Sequence, residues 1–236
     1  MEEKKNVVFT SPMSRFERAA ALGYIPVHIA FLPWLLIRIF GREALPEMTL
    51  NAVCYIAAAL VLFLCLRRFF RREFDALCDY GPGVLLEVAK HYGVLLLCSM
   101  GLGLILLLAT GEMENPNNEA VFSLAGEDLG KTTAVAVFLA PIAEEAMFRG
   151  GVFGLLRKYS RIAAYAASML IFSVYHVWSF ALSDPTAWLY LLQYLPASFL
   201  LARIYEKTNS LWASIFLHMT VNGVAMAALS ALGKLI

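Results

Sequence analysis

Charged side chains are scarce in this sequence. Asp, Glu, Lys and Arg make up 16% of the 236 residues, whereas hydrophobic residues make up 60%, and the mean hydropathy is +0.68. Soluble globular domains carry roughly one charged residue in four, so the composition excludes an ordinary soluble domain and predicts an integral membrane protein. The net charge is only +1 and no basic run indicates a nucleic-acid partner.

Several sequence features of other protein classes are also missing. The four cysteines form no CxxC pair, so we expect small, mostly buried thiols and no disulfide. There is no His-Glu-x2-His motif, no internal repeat and no low-complexity segment. The N-terminal region shows no short apolar stretch with a clear cleavage site, so we expect the first apolar segment to be retained as a helix. We therefore predict one integral membrane domain over residues 1–236, with no cofactor and no bound metal.

Apolar runs recur along the chain with polar breaks between them. A helix needs about 20 residues to cross the hydrocarbon layer, which predicts an all-α, polytopic bundle of about seven, and six to eight, transmembrane helices. The predicted spans lie near 19–39, 49–66, 92–110, 132–156, 162–182, 187–202 and 211–232. Residues 67–91 are predicted to form an amphipathic interfacial segment hinged at Gly81-Pro82-Gly83, and residues 111–131 a polar outer loop.

The distribution of cations predicts how the bundle is oriented. Of the 19 Lys and Arg residues, 14 fall in segments on one side of the predicted spans and four on the other, with Arg149 inside a span; the four are Arg38, Arg42, Lys131 and Lys234. Because cytoplasmic segments carry the excess of Lys and Arg, we expect a cytoplasmic N-terminus and a C-terminus on the opposite side.

Six polar residues lie deep inside the predicted spans: Glu144, Glu145, Arg149, His176, His218 and Asn222. An ionisable group at this depth costs roughly 2.5–3.5 kcal/mol on insertion, which favours a functional role. At about 1.5 Å per residue from the inner helix ends, Glu144, His176 and Asn222 lie about 16–21 Å deep and His218 about 10 Å deep. Residues from three helices are therefore predicted to meet in one layer.

Helical spacing divides the charges of "APIAEEAMFRGG", residues 140–151. Glu145 and Arg149 are four residues apart, which favours an ion pair that braces the helix. Glu144 is rotated by about 100° from Glu145, so we predict that it faces elsewhere and accepts a proton from water. Pro141 is expected to kink or break this helix, which would let it line a watery cavity.

Two further helices carry polar residues one turn apart. Phe172 and His176 share a face of one helix, and His218 and Asn222 share a face of another, where both could donate to a single oxygen atom. A lone membrane histidine is more often an interhelical hydrogen-bonding residue, and we interpret His28 in that way. Zinc binding by a glutamate and two histidines remains open, whereas the lack of an inverted repeat argues against a transporter.

The ordered motifs "EEAMFR", "FSVYH" and "HMTVN" resemble those of the CPBP intramembrane proteases. This family, also called the ABI family, comprises the CAAX-prenyl endopeptidases and their bacteriocin-processing relatives. The resemblance covers about residues 140–226, which we take as the catalytic core of the domain. It implies a peptidase of a prokaryotic cell membrane that acts within the bilayer on a membrane-associated peptide or protein, lipidated ones included.

The resemblance also implies a role for each motif residue. Glu144 would be the general base, His176 would hold and polarise the water, and His218 with Asn222 would stabilise the oxyanion. The supporting residues would be Glu145, Arg149 and Phe172. Two alternatives stay open: a membrane scaffold or bacteriocin-immunity-type protein that binds a partner without cleaving it, and a metal-dependent membrane hydrolase.

Overall fold

The computed structural model describes residues 9–10, 13–111 and 115–233. Within these residues the chain forms eight helices and no strand. The helices are α1 (Arg15–Phe40), α2 (Glu47–Tyr80), α3 (Gly83–Thr110), α4 (Pro116–Glu127), α5 (129–156), α6 (Arg161–Ala181), α7 (Leu191–Thr208) and α8 (Leu211–Gly233). Three of the cations in the charge count, Lys4, Lys5 and Lys234, lie outside the described residues.

The helices confirm an all-α, polytopic membrane bundle. In the described part of the chain, six helices are long and apolar enough to cross a membrane: α1, α2, α3, α6, α8, and α7 together with the 3₁₀ turn Pro185–Tyr190 that precedes it. Helix α5 coincides with the fourth predicted span, and the six apolar helices lie within the predicted range of six to eight. Leucines such as Leu97 and Leu108 project outward from α3, as expected for side chains that face lipid.

The segment 67–91 is shared by two helices, and the turn between them lies at the predicted hinge. Residues 67–80 continue α2 without interruption, and α3 begins directly after a turn at Gly81, whose φ of 73° is one that glycine adopts readily. The side chains that this part of α2 buries recur every three or four residues: Leu66, Phe69, Phe70, Glu73 and Leu77. This face packs into the bundle, and the segment continues two long helices.

Helix α5 is continuous through Pro141, where a break was predicted. The flanking residues Leu139 and Ala140 keep right-handed helical backbone angles. The α-helical segment Ala140–Glu145, which contains Pro141, is flanked by two wider, π-helical stretches, Ala134–Leu139 and Ala146–Phe153. Such π turns occur frequently at functional sites.

A side chain from another helix completes the hydrogen bonding around Pro141. The amide of Ala140 donates to the carbonyl of Val135, five residues back. In the same register residue 141 would donate to the carbonyl of Ala136, but proline has no N–H. The Asn222 side chain on α8 donates to that carbonyl at 2.7 Å. Helix α5 therefore stays unbroken because α8 supplies the missing donor.

Two glycines bring neighbouring helices close to α5. A β-carbon at Gly150 would lie 2.8 Å from the Cε atom of Met13 and 3.2 Å from the Phe69 ring, and one at Gly151 would lie 3.1 Å from Leu22. Small residues permit this close approach between membrane helices. As a result α5 is enclosed by the bundle, and the polar residues that it carries lie in the interior.

Candidate active site

Glu144 lies at the meeting point of four helices. Its Oε1 atom accepts a hydrogen bond from the Tyr55 hydroxyl of α2 at 2.7 Å, and that hydroxyl lies 2.8 Å from the Tyr175 hydroxyl of α6. Its Oε2 atom is buried and has no hydrogen-bond partner among the described residues. This oxygen lies 3.7 Å from Nε2 of His176 and 3.9 Å from Nε2 of His218. The two carboxylate oxygens therefore have different surroundings.

The hydrogen bonds of the two imidazole rings determine which nitrogen faces Glu144. Nδ1 of His176 lies 2.9 Å from the carbonyl oxygen of Phe172, and Nδ1 of His218 lies 2.9 Å from Oε1 of Glu145. A carbonyl and a carboxylate only accept hydrogen bonds, so each Nδ1 carries the hydrogen. In the neutral rings both Nε2 atoms consequently present a lone pair toward Glu144.

The Glu145 and Arg149 side chains form a fully buried ion pair. Nη1 of Arg149 lies 3.1 Å from Oε1 of Glu145, and both side chains are 0% exposed. Glu145 also accepts from the Ser214 hydroxyl at 2.6 Å, while Nη2 of Arg149 donates to the backbone oxygen and hydroxyl of Ser198 at 3.2 and 3.0 Å. The pair therefore connects α5 to α7 and α8. Through its bond to His218 it also orients one of the two rings beside Glu144.

Two aromatic rings enclose His176. The Phe172 ring lies 4.4 Å from the imidazole and carries the Arg149 guanidinium at 4.2 Å from its centre. On the other side the Tyr194 ring stacks on His176 at 4.6 Å with an interplanar angle of 22°. The Tyr194 hydroxyl in turn donates to the side chain of Asn115 at 3.0 Å. These contacts restrict the orientation of the His176 ring.

The predicted site residues are therefore placed in two groups. Glu144, His176 and His218 converge directly. Asn222 lies one helical turn after His218, and one N–H of its amide is committed to the carbonyl of Ala136; the amide has a second N–H. In the described part of the chain no group of three or more His, Cys, Asp or Glu side chains is placed to hold a metal ion.

The sequence interpretation missed the tyrosines around the site. Tyr175 directly precedes His176 in "FSVYH", and Tyr55 is an isolated phenol in an apolar run, so neither position carries a periodic signal. His28, interpreted as an interhelical hydrogen-bonding residue, packs its ring 4.7 Å from that of Tyr55. Its Nδ1 atom is buried without a hydrogen-bond partner among the described residues, so this atom does not make the expected bond.

Comparison with known proteins gives two matches, of which the match to a family model contains all three motifs. Residues 129–224 match the sequence model of the family described as type II CAAX prenyl endopeptidase Rce1-like. The UPF0177 protein YxdF of Lactococcus lactis subsp. lactis (strain IL1403) is 31% identical over 101 residues, which cover 42% of this chain and 51% of that protein. The chain thus spans about half the length of the curated relative that it matches. No solved structure matches the chain.

Proposed function

We propose that this multi-pass membrane protein is an intramembrane peptidase of the CAAX type, because residues 129–224, which carry the three motifs, match the model of the type II CAAX prenyl endopeptidase Rce1-like family. It hydrolyses a peptide bond with a water molecule activated by Glu144. The observation that carries the proposal is the free Oε2 atom of Glu144, which is buried and faces the Nε2 atoms of two histidines.

The spacing of these three atoms suits a bridging water. The distances of 3.7 and 3.9 Å from Oε2 to His176 and His218 are too long for direct hydrogen bonds. A water oxygen lies about 2.8 Å from each of its partners, so a water can bridge Oε2 to either of the two rings. Buried waters are typically held by about three polar groups.

The proposed reaction uses Glu144 first as a base and then as an acid. Oε2 of Glu144 takes a proton from the water while Nε2 of His176 accepts a hydrogen bond from its second hydrogen, and the resulting hydroxide attacks the carbonyl carbon of the substrate. The carbonyl oxygen becomes an oxyanion, to which the second N–H of Asn222 donates, and to which His218 donates when its Nε2 also carries a hydrogen. When the tetrahedral intermediate collapses, the C–N bond breaks and the proton on Glu144 passes to the leaving nitrogen.

The proposed substrate is a membrane-associated peptide or protein, and a lipidated C-terminal peptide of CAAX type is the specific form that the family suggests. The test uses purified full-length protein with a fluorogenic farnesylated CAAX-type peptide, and proteomics of membrane fractions from cells that carry parent or Glu144→Gln protein. We expect Glu144→Gln and His176→Ala to lower cleavage by about 10²- to 10⁴-fold. Glu119→Gln, an exposed acid on α4, is the matched control and should leave cleavage unchanged.

The possible outcomes separate the three candidate functions. Cleavage by Glu144→Gln at the parent rate contradicts the proposed mechanism. Absence of any cleaved substrate, together with a cellular phenotype that survives Glu144→Gln, supports a membrane scaffold or immunity-type protein. Activity that a chelator removes and that added zinc restores supports a metal-dependent hydrolase.

We also propose that the N-terminus is cytoplasmic, on the basis of the cation distribution. Cys78 and Cys98 are the exposed cysteines, and Cys78 lies near the turn between α2 and α3. In a Cys98→Ser background, a membrane-impermeant maleimide should label Cys78 in inverted vesicles and not in intact cells. The opposite labelling pattern contradicts this orientation.

A further inference from the structure

A chain of two tyrosine hydroxyls ends on Glu144. The Tyr175 hydroxyl of α6 lies 2.8 Å from the Tyr55 hydroxyl of α2, which lies 2.7 Å from Oε1 of Glu144 on α5. The mechanism above uses Oε2 and makes no use of either tyrosine. The chain therefore connects three helices at the back of the carboxylate.

Counting hydrogens gives the direction of both bonds. A carboxylate has no hydrogen to donate, so Tyr55 donates to Glu144. Because a phenol has one hydrogen, the hydrogen between the two hydroxyls must come from Tyr175. Both bonds thus point toward Glu144, and the last of them is assisted by the negative charge.

The bond from Tyr55 determines which carboxylate oxygen is free. The terminal torsion of a glutamate side chain has a broad range of accessible angles, and neither histidine lies within direct hydrogen-bond distance of Oε2. Among the described residues, the Tyr55 hydroxyl is the group that forms a direct hydrogen bond to this carboxylate. The Tyr55 ring packs edge to face against the His28 ring, with 4.7 Å between the ring centres. The Tyr175 ring packs against the Phe148 ring, with 5.2 Å between the ring centres.

We propose that Tyr55 is a positioning residue for Glu144, with Tyr175 supporting it, and that this pair keeps Oε2 turned toward the water and the two histidines. The inference rests on the proposed peptidase function. It assigns a role in the reaction to a helix outside the three motifs, because α2 precedes all of them in the chain.

The kinetic test removes one hydroxyl at a time. We expect Tyr55→Phe to lower kcat by about 10- to 100-fold, because a misplaced reacting group costs rate. KM should stay within about twofold of the parent value, because the proposed role is to orient Glu144 and not to bind the substrate. Tyr175→Phe should lower kcat by about threefold. The double variant should match Tyr55→Phe alone, since Tyr175 acts only through Tyr55.

Tyr165→Phe is the matched control for these variants. It also removes a hydrogen bond from a tyrosine to a glutamate, the 2.8 Å bond to Glu206, but at a different place in the bundle. It should leave kcat and KM unchanged. The assignment is overturned if the fold-reductions in kcat of Tyr55→Phe and Tyr175→Phe multiply in the double variant. It is also overturned if Tyr165→Phe lowers kcat as much as Tyr55→Phe does.

Infrared spectroscopy tests the bond without relying on activity. The carboxylate band of Glu144 is identified as the band that Glu144→Gln removes. We expect it to shift in Tyr55→Phe and to stay in place in Tyr165→Phe. An unshifted band in Tyr55→Phe overturns the proposal, and so does a shifted band with parent-level kcat.

The two proposals fail in different ways. If Glu144→Gln cleaves the peptide at the parent rate, the peptidase mechanism fails whatever the spectra show, and the role of Tyr55 in that mechanism fails with it. If Glu144→Gln is inactive and Tyr55→Phe keeps the parent kcat, the peptidase mechanism stands and only the role of Tyr55 is rejected.

Discussion

Replacing Arg149 by methionine should damage the fold far more than replacing Glu144 by glutamine. The Arg149 guanidinium is fully buried, and the change removes its ion pair with Glu145 and both of its bonds to Ser198. Glu145 keeps the contacts from Ser214 and His218 but loses its cation. Breaking a buried ion pair on one side costs about 3–5 kcal/mol.

This cost predicts a measurable change in thermal unfolding. At roughly 2–4 °C per kcal/mol for a chain of this size, the Tm of Arg149→Met should fall on the order of 10 °C. Unfolding of the purified protein in detergent can be followed with a thiol-reactive dye in a Cys78→Ser and Cys98→Ser background, because those two thiols are exposed whereas Cys54 is buried in the folded state. Glu144→Gln retains an acceptor for Tyr55, so its Tm should stay within about 2 °C of the parent value.

A double variant checks that the lost charge pairing is the cause. Glu145→Gln combined with Arg149→Met removes the uncompensated carboxylate, so its Tm should lie above the value expected from adding the two single losses. The reasoning is refuted if Arg149→Met has the same Tm as the parent, or if the decrease in Tm of the double variant equals the sum of the two single decreases. A Tm for Glu144→Gln as low as that of Arg149→Met would also refute the division of roles between the two glutamates.

Two further predictions concern the surroundings of the site. Asn222→Ala should lower the free energy of unfolding by about 1–3 kcal/mol, because it leaves the buried carbonyl of Ala136 unpaired. The accompanying fall in Tm should be smaller in a Pro141→Ala background, where the backbone regains an N–H. Equal falls in both backgrounds would contradict the role of Asn222 as the donor to this carbonyl. Tyr194→Leu should lower kcat for peptide cleavage more than Tyr194→Phe, because only the leucine removes the ring stacked on His176; equal rates in the two variants would show that the stacking is not needed.

Local sequence patterns were sufficient for most of the helices. Each of the seven predicted spans corresponds to a helix, because hydropathy over about 20 residues is a local property. The ion pair between Glu145 and Arg149 was predictable for the same reason, since helix geometry places residues four apart on one face. The amphipathic pattern and the hinge at 67–91 were predictable as well, whereas only the structure shows that residues 67–80 continue α2 without interruption.

The effect of Pro141 was not predictable from local rules. A proline in a helix removes a donor, and the expected result is a kink or a break. Helix α5 stays continuous because Asn222, 81 positions later in the sequence, donates to the carbonyl of Ala136. Whether such a partner exists depends on how α5 and α8 pack against each other.

The sequence by itself determined that this is a multi-pass helical membrane protein, that its polar residues lie in one layer, and that its three motifs resemble those of a protease family. These properties follow from helical period, hydropathy and residue order along the chain. Only the tertiary structure decided which oxygen of Glu144 is free, because that depends on Tyr55, a residue of a distant helix. It also decided that Glu145 orients His218 as well as pairing with Arg149. Hydrogen bonds between helices depend on packing in three dimensions, and they leave no periodic mark in the sequence.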